Sequence, residues 1–122
     1  MHRPGSEALN MEPTDFLCDF CQKSWSEDRP MVEGHQGSLI CAPCICTAYT
    51  HLVLAGAGID STFADTKCTM CIEARGGTDA YWQSPIYETA CICRRCLDQG
   101  IETLESDTDT PTPFLRPAGT PA

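Results

Sequence analysis

Short apolar clusters, each interrupted within a few residues, set the pattern of this chain. Phe16-Leu17 is the first, with Phe20 four positions on. Met31-Val32-Glu33-Gly34 and Ser38-Leu39-Ile40 then read as two short strands around a turn at Gly34-His35-Gln36-Gly37. Pro43 suits a first helical turn, and the breaker-poor run 44–54 carries an apolar stripe at Ile45, Ala48, Tyr49 and Leu52. Ala55-Gly56-Ala57-Gly58 closes that helix and opens a linker. The scheme then repeats less cleanly. Ala80-Tyr81-Trp82 and Ile86-Tyr87-Glu88-Thr89 are the strand candidates, broken at Ser84-Pro85, and a helix is expected from about Arg94 to Glu105 with Leu97, Ile101 and Leu104 on one face. Gly100 weakens that helix.

Clusters this small cannot by themselves make a stable core. Each half is about forty residues, too short to bury enough apolar surface to offset chain entropy. The missing stabilisation is written in the cysteines. Eight of the ten fall into four Cys-x-x-Cys pairs: Cys18/Cys21, Cys41/Cys44, Cys68/Cys71 and Cys93/Cys96. Two such pairs about twenty residues apart can close a tetrahedron of thiolates around one Zn²⁺. The chain therefore predicts two structural zinc ions, one per half. The halves also look like copies. The first pair is displaced by 50 positions and the second by 52, and Ile40-Cys41-Ala42-Pro43-Cys44-Ile45 parallels Ile92-Cys93-Arg94-Arg95-Cys96-Leu97.

Cys46 and Cys91 are left over. Cys91 would restore the shorter spacing after Cys71, but a Cys-x-Cys pair points its sulfurs less easily at one metal, so Cys93 and Cys96 are preferred. A disulfide framework is the competing reading of so many cysteines. It is disfavoured because Met1-His2-Arg3-Pro4-Gly5-Ser6-Glu7 shows no apolar signal core and no segment has the apolar length of a membrane span. The expectation is a cytoplasmic protein with no membrane association.

Knuckle, hairpin, then knuckle at a helix start is the treble-clef arrangement. Within it, Cys18-Asp19-Phe20-Cys21-Gln22-Lys23-Ser24, Val32-Glu33-Gly34 and Ile40-Cys41-Ala42-Pro43-Cys44-Ile45 resemble the zinc-binding domain at the N-terminus of the ClpX unfoldase. The resemblance spans roughly residues 16–54 and is weaker over 66–105. Gln22 stands where that family has Gly, and Ile72-Glu73-Ala74 replaces its Gly-Lys-Ser. What the resemblance implies is a binding module, because that domain dimerises and docks adaptors and substrates. It does not imply the motor, since no Gly-Lys of a P-loop occurs in the chain. Two fingers in one polypeptide would form internally the pair that the family forms between subunits, although a homodimer of the whole chain is also open.

Charge narrows the partners. The formal net charge is −9, and two four-thiolate zinc sites take it to about −13. Nucleic-acid binding through counterion release needs the opposite sign; it would have to use Arg94 and Arg95 with Lys67 or Arg75. Catalysis needs an open metal position or an activated thiol. Fully thiolate-ligated sites are closed, His35 and His51 read as ordinary side chains, and Cys46 and Cys91 read as packed thiols. Trp25, Tyr81, Trp82 and Tyr87 are candidates for core first and for a peptide-binding surface second.

The expected fold class is thus small α+β, two tandem treble-clef zinc fingers. The expected organisation is a disordered segment 1–13, a first finger 14–55, a linker 56–65, a second finger 66–105 and a disordered acidic, Pro-rich tail 106–122. Phe114-Leu115-Arg116 in that tail has the form of a short docking peptide. The expected function is a non-catalytic, zinc-dependent protein-interaction module, an adaptor or regulator whose partner the residues do not name. The alternatives are a nucleic-acid-associated zinc-finger regulator and a thiol-redox or metal enzyme.

Overall fold

The computed structural model describes Met1, residues 12–107, Phe114, Arg116 and Pro117. Most of the expected disordered segments, 1–13 and 106–122, lie outside the described residues. Two antiparallel hairpins, each leading straight into a helix, make up the body. In the first half β1 (Met31–Glu33) pairs with β2 (Leu39–Cys41), and α1 (Ala42–Tyr49) follows, running on as a wider-wound π segment over Thr50–Leu54. In the second half β3 (Tyr81–Gln83) pairs with β4 (Cys91–Cys93), and α2 (Arg94–Ser106) follows.

The registers correspond. Met31 faces Cys41 as Tyr81 faces Cys93, and Val32 faces Ile40 as Trp82 faces Ile92. Even the tie between knuckle and hairpin repeats: Asp19 N–H donates to Leu39 O at 2.8 Å, and Thr69 N–H donates to Cys91 O at 2.8 Å. The step from a 50-residue to a 52-residue offset falls in the hairpin loop, residues 34–38 in one half and 84–90 in the other.

One strand sits elsewhere than its sequence pattern suggests. Residues 86–89 are loop, and the second strand of that hairpin is Cys91–Cys93. The cause is Ser84, whose hydroxyl accepts from the N–H groups of Ile86 (3.1 Å) and Tyr87 (3.2 Å) and winds that segment into a turn. Ile86 and Tyr87 are left 61 % and 41 % exposed.

The two halves share one core. The predicted stripes Ile45, Ala48, Tyr49, Leu52 and Leu97, Ile101, Leu104 are all buried, and α1 packs on α2. Gly100 lies where they meet: a Cβ there would stand 3.1 Å from Ile45 Cδ1. Each knuckle also reaches the other half's hairpin. Phe20 stacks on Trp82 with ring centroids 5.8 Å apart, and its carbonyl accepts from the Ser84 hydroxyl at 2.5 Å. In return Met70 lies over Gly34, and its carbonyl accepts from His35 N–H at 2.7 Å. The halves are thus related by an approximate two-fold exchange.

The connecting segment is anchored rather than loose. Asp60 caps a short turn at Ser61–Phe63, Phe63 packs on Tyr81 with centroids 5.5 Å apart, and the Phe63 carbonyl covers Gly76 so closely that no Cβ fits there. Of the aromatics singled out above, Tyr81 and Trp82 are core, Trp25 is half-buried and Tyr87 is exposed.

Candidate metal centres

The knuckles, β2 and β4, and the first turns of α1 and α2 deliver the sulfurs. Each Cys-x-x-Cys turn is closed by a backbone bond, Gln22 N–H to Cys18 O and Ile72 N–H to Cys68 O, both 2.8 Å. Closing the turn puts the following residue in the left-handed region, with φ of 63° at Gln22 and 62° at Ile72. That region favours glycine, and a β-branched residue is strained there. The second pair of each half comes from a strand end and a helix start, so Cys41 and Cys44, or Cys93 and Cys96, meet across a helix N-terminus.

The structure brings Cys18, Cys21, Cys41 and Cys44 together, and likewise Cys68, Cys71, Cys93 and Cys96, with the sulfurs of each group within 4.8 Å of one another. Sulfurs held at about 2.3 Å from a tetrahedral Zn²⁺ are about 3.8 Å apart. The separations of Cys18 and Cys44 (3.8 Å) and of Cys21 and Cys41 (3.7 Å) match two opposite edges of that tetrahedron. The donor set fits as well, because all ten cysteines are free and the eight here are all-sulfur tetrads. Both sites are compatible with structural zinc.

Backbone N–H groups converge on the first sulfur of each tetrad. Phe20 N–H and Cys41 N–H both lie 3.3 Å from Cys18 Sγ, and Cys93 N–H lies 3.4 Å from Cys68 Sγ. At Cys68 that donor favours the thiolate. Among themselves the sulfurs divide protons: hydrogen bonds from Cys18 and Cys44 hold Cys41 down to about 3, while the same contacts with Cys18 and Cys41 push Cys44 up. In the second tetrad Cys68 is held at about 2 by Cys93 and Cys96, and its partner Cys93 is pushed up to about 12 by Cys68. A bound Zn²⁺ would take the place of the shared protons, held by the four sulfurs of each tetrad.

Two arginines belong to these sites that the spacing argument did not reveal. Arg29 Nη1 approaches Cys41 Sγ at 3.8 Å, and the Arg95 guanidinium lies near Cys71 while bonding Glu73 Oε2 at 2.9 Å. The only trace of Arg29 in the sequence is its place just before β1, whose partner strand carries Cys41. His35 and His51 are exposed and belong to neither tetrad. Cys46 and Cys91 are likewise outside both. Cys91 occupies in β4 the register position of Leu39 in β2, is 1 % exposed, and packs as an apolar residue. Burial pushes the thiols of Cys46 and Cys91 up, further from the reactive thiolate.

A cleft of about 500 Å³ lies between β1 and α2, lined by Val32, Gly34, His35, Met70, Arg95 and Gly100 among others. Its two cysteines, Cys71 and Cys96, are members of the second tetrad.

The site defines the class, a four-cysteine zinc finger occurring twice. Residues 17–53 match the family model described as the ClpX C4-type zinc finger. The match ends before the second tetrad, which repeats its geometry at 68–96. These 122 residues hold no ATPase domain beside the fingers. No curated protein and no solved structure matches the chain. Among the described residues no helix is long and apolar enough to cross a membrane.

Proposed function

We propose that this chain is a non-catalytic protein-interaction module, an adaptor or regulator working in a reducing, cytoplasmic setting, in which the eight cysteines ligate two structural zinc ions. The observation that carries the reading is closure: every Cys-x-x-Cys sulfur is committed to a tetrad, which leaves neither metal an open position for substrate. Zinc supplies folding free energy here, on the order of 10 kcal/mol per structural site in small zinc-finger peptides. The protein part supplies a rigid paired body with apolar groups on display, Ile86 and Tyr87 foremost.

The nucleic-acid reading loses support from the ion pairs. Arg94 is bonded to Asp98 at 3.0 Å, Arg95 to Glu73 at 2.9 Å and Arg75 to Glu73 at 3.4 Å, so three of the four basic residues that would touch phosphate are already facing carboxylates. The overall acidic field points the same way.

X-ray absorption at the zinc edge tests the closure. Two ions per chain with four sulfurs each support the module. A nitrogen or oxygen in the first coordination sphere would move the enzyme reading ahead. Photo-crosslinking from position 87 in cells then separates the partner classes, since a zinc-dependent protein adduct fits the module and a nucleic-acid adduct overturns it.

A further inference from the structure

Part of the C-terminal region lies against the body. Phe114 is half-buried against the shared core, and the Arg116 guanidinium forms a fork with the Glu105 carboxylate, Nε to Oε2 at 3.1 Å and Nη2 to Oε1 at 2.9 Å. The same guanidinium lies near Tyr49. Glu105 is near the end of α2 and Tyr49 is the last residue of α1, so the arginine is held by one helix beside the end of the other. An aromatic ring in an apolar seat, with an arginine two positions later in a carboxylate fork, is the anchor chemistry of peptide recognition. Nothing in the metal sites requires it.

We infer that the junction of the C-terminal ends of α1 and α2 is a docking site for an extended peptide carrying an aromatic residue and, two positions on, an arginine. In the isolated chain Phe114 and Arg116 fill it. The inference rests on the interaction-module reading and gives its partner a chemistry. Glu105 selects the arginine, because a planar guanidinium pairs bidentately with a carboxylate where a lysine ammonium cannot. The overall negative charge favours such a cationic ligand. Only six residues separate Asp107 from Phe114, so the resident segment acts at an effective concentration on the order of millimolar. A partner must outcompete it, which makes the tail a built-in threshold for binding.

The probe is a fluorescent peptide of residues 110–119, titrated by anisotropy into zinc-loaded full-length chain. In a Phe114→Ala/Arg116→Ala variant the site is vacated, and the peptide binds at least about tenfold more tightly than to the unaltered chain, whose own tail competes. Adding Glu105→Arg to that variant removes the binding, and a peptide with Glu in place of its arginine restores it. Native mass spectrometry confirms two zinc ions throughout; should the double variant lose metal, Arg116→Gln, which removes only the ion pair, replaces it with the same expectations. No binding to a metal-replete vacated variant, equal binding to the unaltered chain, or indifference to Glu105→Arg each overturns the docking site. In those cases zinc coordination is untouched, so the module reading stands or falls separately.

Discussion

Phe20 lies inside the first zinc knuckle and stacks face to face, at 22° between planes, on Trp82 of the second finger's hairpin. A metal loop of one half is thereby part of the core of the other. Trp82→Ala should destabilise the zinc-loaded protein by about 3–5 kcal/mol, as for other buried aromatics. Denaturant unfolding with both zinc ions bound measures it. A loss below 1 kcal/mol would mean that the fingers do not depend on one another.

Metal loss tests the same dependence from the other side. A chelator should unfold the chain, and Cys18→Ser, which removes one sulfur of the first tetrad, should also lower the zinc affinity of the second. Stoichiometry by native mass spectrometry and helix content by circular dichroism are the readouts. One tightly held zinc and a native second half in that variant would show independent fingers instead.

Gly34 has φ −111° and ψ −156°, an extended backbone open to any residue. Its lack of a side chain matters for another reason: a Cβ would stand 2.6 Å from the Met70 carbonyl oxygen and 2.7 Å from Ser38 Oγ. Gly34→Ala should therefore cost about 1–3 kcal/mol through overpacking. An unchanged denaturation midpoint would be incompatible with that contact.

Gln22 presents the opposite case, a side chain where the backbone is left-handed. Gln22→Gly should stabilise the first knuckle by about 0.5–1 kcal/mol, the relief of positive φ exceeding the added chain entropy. A raised thermal midpoint with two zinc ions retained is the expected result; a lowered one would show that the Gln22 side chain contributes more than its strain.

The two surplus thiols should differ. Both are held above the ordinary thiol value, chiefly by burial, so both remain protonated at neutral pH and gain reactivity as the pH rises. Cys46 is half-exposed and should alkylate slowly at pH 7, faster well above it. Cys91 is 1 % exposed and should react only on unfolding. Mass mapping of iodoacetamide adducts against pH decides this, and rapid labelling of either at pH 7 would revive the redox reading.

Much of this architecture is legible in the chain because metal ligation is a local code. Cys-x-x-Cys spacing names the sulfurs that converge, and the stripes Ile45–Leu52 and Leu97–Leu104 name the faces that meet. The rest depends on contacts between halves, which spacing does not encode. Gly100 reads as a flaw in a helix, yet a side chain there would crowd Ile45 of the other helix. Ile86 and Tyr87 have strand-like chemistry, yet one buried hydroxyl, that of Ser84, turns them outward. Arg29 shows only its place before β1, because its target sulfur is twelve residues away on the partner strand.

Joining two similar fingers in one polypeptide removes a restriction that binds any pair of identical subunits. A symmetric pair must close both of its ends with the same residues, so every change is made twice. Here one end is closed by an aromatic stack and a serine hydroxyl, and the other by a methionine lying over a glycine and a backbone N–H. Each end was free to drift by itself, and so was each outer surface. The 84–90 loop is longer than 34–38, its counterpart on the first finger, so the exposed Ile86 and Tyr87 are presented once per molecule, where a symmetric pair would present them twice.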